Sequence, residues 1–175
     1  VPRRVGEVAV TTLLQRQNLV LVTGRLDIGQ VKTPTVIQAA RATAAGLPSD
    51  LVLLDAPPGV ACAAVAALRH ADALLLVTEP TPFGLHDLEL SLQLGRSLGL
   101  PMAVLVNRDV EGDRSVADLC QAWDVPLVGR IPFRREVAEV YDRGGLVAEE
   151  CPQLRTPLEL LAARTRRLAA GVLGV

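Results

Sequence analysis

The residues in this chain best able to do chemistry stand where short apolar runs stop. The run LVLL at 51–54 ends in DAPPG at 55–59, ALLLV at 73–77 ends in TEPT at 78–81, MAVLV at 102–106 ends in Asn107, Arg108 and Asp109, and LVGRI at 127–131 ends in Pro132 and Phe133. A carboxylate such as Asp55 at a strand's end can hold Mg²⁺ through water, and the glycine-bearing turn at Gly59 can bring a backbone N–H to a terminal phosphate. Asn107 carries both an amide donor and a carbonyl acceptor, the pair needed to read a purine edge. Each loop taken alone is an ordinary turn. Four of them on one sheet edge would line the crevice in which open α/β sheets bind ligands.

Those loops need strands behind them and helices between. The apolar runs are too short for helices and are bounded by proline, glycine or polar residues, so they read as buried strands. Residues 61–69 resume with helix-forming alanines, which aims a helix N-terminus at the crevice. Thr33 before Pro34 looks like an N-cap followed by proline in the first helical position, and Ile37, Ala40 and Ala44 continue one apolar stripe to Gly46. Leu85, Leu88 and Leu92 recur at helical spacing up to Gly99. Ser115 can cap a helix with Val116, Leu119, Cys120 and Trp123 on one face. A short helix at 136–143 stops at Gly144 and Gly145, and 157–168 closes the chain as an amphipathic helix. Upstream, the β-prone runs at 7–10 and 19–23, separated by QRQN, suit a hairpin or two successive strands. After Pro48 strand and helix alternate without hairpins. The expected fold is α/β, a doubly wound, mostly parallel sheet flanked by helices, in a single domain spanning 1–175.

Composition narrows the function. Half of the 175 residues are hydrophobic but only 2% are aromatic, so Leu, Val and Ala must build the core. The net charge of −1 gives no global field to attract nucleic acid or an anionic membrane. The longest apolar run, 60–68, is about half a membrane span. No secretory leader opens the sequence, and the expectation is a cytoplasmic protein without a transmembrane segment. Three dispersed cysteines form neither a disulfide framework nor a Cys-x-x-Cys pair. Cys120 belongs to an apolar stripe and is expected in the core, and Cys62 is expected to be buried at its helix start. Cys151, in a Glu-Glu-Cys-Pro turn, is the best candidate for an exposed thiol. His70 and His86 stand beside no candidate nucleophile and read as surface or cap residues.

From about residue 24 to 147 the chain resembles the C-terminal part of the MinD/ParA-type P-loop ATPases, most of all those with an inserted ferredoxin domain in the Mrp-like iron–sulfur group. The stretches that carry the resemblance are GRLDIG at 24–29, LVLLDAPPGVAC at 51–62, ADALLLVTEPTPFGLHDLELSLQL at 71–94, VLVNRD at 104–109 and IPFRREVAEVYDRG at 131–144. The resemblance implies an incomplete P-loop NTPase-type domain that uses ATP and Mg²⁺. Asp55 would be its Mg²⁺-side carboxylate and Gly59 a switch residue near the γ-phosphate. Asn107 would contact adenine, Arg108 in the same matched exit would join it in binding the nucleotide, and Pro132 with Phe133 would wall the base side. It further implies that residues 78–83 shape a nucleotide-dependent homodimer face, and that an iron–sulfur or redox protein is a partner.

The departures are as informative. No G-x-x-x-x-G-K-[ST] or lysine-bearing glycine-rich variant occurs, and the only lysine, Lys32, sits in a GQVKTP context that cannot replace it. Family members place the phosphate loop, and the iron–sulfur cysteines of the insert, N-terminal to the matching region. The chain, which starts at Val1 and not at methionine, is therefore expected to be the C-terminal portion of such an ATPase and inactive by itself. The alternative is a non-catalytic dimerisation or partner-binding domain that has lost the phosphate loop. A phosphoacceptor domain fits less well, because the acidic pair and the later lysine it needs are missing. By the same resemblance a phosphate-loop strand belongs between the strand ending at Leu54 and the one ending at Val77. Either those two strands pair directly, or residues 19–23 or another chain fill the gap.

Overall fold

The computed structural model describes residues 5–12 and 19–172, and the chain divides into two compact units, Val1–Arg69 and His70–Val175. The first unit opens with an antiparallel hairpin of β1 (Gly6–Thr12) and β2 (Val20–Leu26), registered from Gly6 opposite Leu26 to Thr12 opposite Val20. The expected hairpin is thus present, while the QRQN stretch lies outside the described residues. Helix α1 (Thr33–Ala45) lies on the hairpin because two glycines let it approach. A Cβ added to Gly6 or to Gly24 would stand 2.9 Å from a methyl of the buried Val36. Helix α2 (Cys62–Leu68) buries Ala64, Ala67 and Leu68, and Arg41 of α1 donates to the carbonyl oxygens of Ala66 (3.2 Å) and Arg69.

The second unit is a three-stranded parallel sheet in the order β3 (Leu74–Thr78), β4 (Met102–Asp109), β5 (Leu127–Pro132). Strand β4 is central and covered on both faces, which is why MAVLV has no polar alternation. Val104 and Val106 point to α3 (Pro82–Ser97) and α4 (Ser115–Trp123), where they pack with Leu88, Leu92, Val116 and Cys120. Ala103 points the other way, to Val128 and to Leu161 and Leu168 of the last helix. Two short helices, α5 (Arg135–Asp142) and α6 (Val147–Glu150), lead into α7 (Pro152–Ala169), and Val140, Cys151 and Leu154 form a third cluster between them. The closing helix starts a turn and a half earlier than its periodicity suggests and carries Pro157 inside it. Its apolar side docks on the sheet, and Arg164 donates to the Val128 carbonyl. Among the described residues no helix is long and apolar enough to cross a membrane.

Several expectations are corrected. Residues 51–54 join no ladder among the described residues, and Val52, Leu53 and Leu54 are exposed. An apolar run becomes a strand only where a neighbour accepts its backbone groups, and none does so here. Among the described residues β3 likewise pairs with β4 alone and β2 is taken up by β1, so within the chain the strands ending at Leu54 and Val77 do not pair directly and residues 19–23 do not lie between them. Thr33 and Ser115 are the first residues of their helices and not the caps. Lys32 precedes α1 with no side-chain cap bond, and Asp113 accepts from the Ser115 N–H (2.8 Å) and hydroxyl (2.5 Å). Thr81, by contrast, does cap α3, accepting from the Gly84 N–H at 3.0 Å. The thiols are reversed. Cys62 is exposed, because the seven-residue α2 buries Ala64, Ala67 and Leu68 and leaves its first residue outside, whereas Cys151 is buried between α5 and α7. Cys120 is in the core as expected, and burial raises its thiol pKa, disfavouring the reactive thiolate.

Counting thiols with a chromogenic disulfide tests this arrangement. One thiol per native chain, Cys62, should react in the fast phase, and Cys120 and Cys151 only with unfolding. Cys62→Ser should abolish the fast phase, and a fast phase that survives would overturn the assignment.

Candidate functional site

Parallel strands all end on the same side, so β3, β4 and β5 deliver their exits to one rim. There Glu79, Pro80, Thr81, Arg108, Val110 and Phe133 line an open cleft of about 420 Å³. Its β3 wall is rigidly built. Thr78 is buried, and its hydroxyl donates to the Gly84 carbonyl at 2.9 Å, while Thr81 holds the Gly84 N–H. The Thr81 N–H closes a tight turn onto the Glu79 carbonyl at 2.8 Å. A Cβ on Gly84 would fall 2.3 Å from that same oxygen, so the first turn of α3 presses directly on the backbone of Glu79.

The β4 and β5 walls are joined by charge. Arg130 donates to Asp109 Oδ1 at 2.6 Å, with the carboxylate mostly buried and the guanidinium about one-third exposed, and it also reaches the Asp113 carbonyl at 3.4 Å. One strand residue thereby ties the β4 exit to the start of α4. Next to it Arg108 has a positive φ of 53°, an unusual backbone for an arginine, and its guanidinium lies 5.7 Å from the Phe133 ring centroid and 3.5 Å from Glu79 Oε1. Phe133, 62% exposed, presents its ring at the cleft. Its N–H bonds the Asp109 carbonyl at 3.3 Å, which fixes where that ring leaves the backbone.

Of the residues singled out in the sequence, Arg108 and Phe133 meet at this cleft. Pro132 ends β5 immediately before it, and Asn107 is half-buried one position before Arg108 in β4. Asp55 and Gly59 belong to the first unit. Asp55 is exposed, and Gly59 has φ +80°, a turn geometry that glycine adopts without strain. Val110 was not singled out, and the pairings of Glu79 with Arg108 and of Asp109 with Arg130 were missed, because each joins residues on different strands or strand exits and no local pattern marks such pairs. The rigid TEPTP composition was the one available signal for the β3 wall. Among the described residues no three His, Cys, Asp or Glu side chains group as a metal centre.

The Ser115 bonds, side chain first, hold the Asp113 carboxyl below the usual aspartate range. A depressed folded-state pKa gives stability that is present above the unfolded value and is lost as pH falls through the folded one. Asp113→Asn should therefore lower the melting temperature at pH 7, and the difference from the parent should shrink below about pH 4. A difference that persists unchanged at pH 3 would show that the carboxylate's charge is not what caps α4.

No family model matches the chain. It is 28% identical over 124 residues to an uncharacterized protein of Methanocaldococcus jannaschii, covering 71% of this chain and 43% of that protein. It is 29% identical over 99 residues to the iron–sulfur cluster carrier protein of Rickettsia typhi, covering 54% of this chain and 31% of the relative. The chain thus spans less than half the length of these curated relatives. Among solved structures, the MinD cell division protein of Aquifex aeolicus superposes with a TM-score of 0.54 at 22% identity, over 66% of this chain and 52% of that one, a likeness of fold. In sequence and in fold the chain resembles, over part of their length, proteins of the MinD/ParA-like P-loop ATPase superfamily.

Proposed function

We propose that this chain is the base-side portion of an ATP-binding module of MinD/ParA type that serves iron–sulfur protein chemistry. The observation that carries the reading is the cleft at the carboxyl ends of β3, β4 and β5, where Phe133 meets Arg108, the residue after Asn107 in β4. A volume of about 420 Å³ suits a nucleoside, and an aromatic face with an adjacent cation suits a planar ring. Asn107 would read the purine edge through its donor and acceptor, and Pro132 would wall the base. The similarity to iron–sulfur cluster carrier proteins supports the link to a cluster or redox partner.

The residues fit Mg²⁺ in the limited way such sites require. Mg²⁺ is commonly held by one or two carboxylates together with waters and substrate phosphates, and Asp55 is an exposed carboxylate followed by the tight turn at Gly59. Bound Mg²⁺ would neutralise charge on the transferred phosphoryl group. The residues do not fit a triphosphate by themselves, since no lysine-bearing glycine-rich loop is present. The phosphate cradle has to come from outside the sequence read here. A second reading, a partner-binding or homodimerisation domain working through the β3 exit, draws on the 84% exposure of Phe83 at the start of α3.

Calorimetric titration of the chain with Mg-ATP should show no submillimolar binding, because backbone amides and the lysine of a phosphate loop supply most of the triphosphate contact. Tight binding would overturn the view that the loop is essential. In a protein that joins this chain to a phosphate loop, Asp55→Ala should lower kcat far more than it raises the Kd for ATP, and an unchanged kcat would remove Asp55 from the mechanism. Asn107→Ala should do the reverse, raising KM and blurring discrimination against GTP with kcat nearly intact.

A further inference from the structure

We propose that Glu79 is the catch of a latch: it holds the Arg108 guanidinium over Phe133 and so covers that face of the ring, at the edge of the open cleft, while no ligand ring occupies it. Three strand exits meet in this one contact, Glu79 from β3, Arg108 from β4 and Phe133 from β5. The catch is stiff, because the Glu79 carbonyl accepts from Thr81 and is pressed by the first turn of α3 at Gly84. The Arg108 backbone is left-handed, at φ 53°, an uncommon conformation for an arginine. The guanidinium lies 5.7 Å from the Phe133 centroid. A planar ring inserted between them would need roughly 7 Å, about 3.5 Å of van der Waals distance on each face. A ring can therefore stack on the face of Phe133 that Arg108 covers only after Arg108 has moved, and moving it strains or breaks the 3.5 Å pair with Glu79.

The pair is half-exposed, with side-chain exposures of 59% for Arg108 and 39% for Glu79, so the latch is a light one. Exposed ion pairs of this kind shift equilibria by a few-fold at most, and less in high salt. That suits a contact that must open for each ligand. It differs from the Asp109–Arg130 pair beside it, shorter at 2.6 Å and more buried, which holds the rim together permanently. The latch rests on the nucleotide reading above only for the identity of the ring that displaces Arg108.

Glu79→Gln in the full chain separates the two ideas, with adenosine, which has no phosphates, as the probe. In the parent protein the Arg108 δ and ε protons should carry an upfield ring-current shift by NMR that Phe133→Leu removes. Glu79→Gln should remove most of that shift and bind adenosine about two- to five-fold more tightly, read from the Phe133 ring signals. An Arg108 shift that persists in Glu79→Gln would overturn the latch, as would loss of the shift with adenosine bound equally tightly by both proteins. If Arg108 is released but adenosine moves Phe133 in neither protein, the latch stands and the nucleotide reading falls.

Discussion

Everything in the second unit depends on the parallel ladder of β4. Among the described residues it is the one strand paired on both edges, with β3 and β5, and Val104 and Val106 are fully buried beneath α3 and α4 while Ala103 is buried on the opposite face. A strand in that position has no freedom of register. Sliding it by one residue would exchange the Val104 and Val106 face for the Ala103 face, and Ala103 could not fill the space that the valines occupy. Because the ladder is parallel, fixing the register also fixes which residues emerge at the rim. Arg108, Glu79 and Phe133 converge as a consequence of how the core packs.

The rim itself is stabilised by polar contacts that the core cannot supply. Thr78 and Thr81 satisfy both backbone groups of Gly84, and Arg130 ties Asp109 to the loop before α4. Buried polar groups cost free energy unless paired, and these are paired. The apolar side of the rim is treated differently. The chain has four aromatic residues, and Phe83, Phe133 and Tyr141 are all exposed, with Trp123 half-buried beneath Arg96. Trp123 packs against the core of the second unit, and the other three rings, Phe133 among them, stay outside it.

The first unit is built on a thinner foundation. Its buried apolar residues among those described are Val36, Ala64, Ala67 and Leu68, three of them packed between α1 and α2 and one against the glycines of the hairpin. Alanines bury little area each, so each contributes less than a core leucine such as Leu92. The exposed Val52 and Leu53 are apolar surface that this core does not reach.

Much of the architecture was legible in the residues because it depends on local chemistry and on patterns with a short period. The continuous apolar runs at 74–77 and 102–106, the 3.6-residue stripe of Val116, Cys120 and Trp123, and the stop at Gly99 with φ +68° all declare themselves within a few positions. What only the tertiary structure decided depends on partners distant in sequence. Residues 51–54 have the composition of a strand but no neighbour to pair with. Cys62 and Cys151 exchanged their expected environments because burial is set by the elements packed against a residue and not by its neighbours in the chain. The pairing of Glu79 with Arg108 over Phe133 joins residues 25 to 54 positions apart, and an ion pair of that span leaves no trace in periodicity or composition. The residue types at the rim came from the sequence, and their meeting came from the parallel register, since only the ladder makes one edge of three separate strand ends.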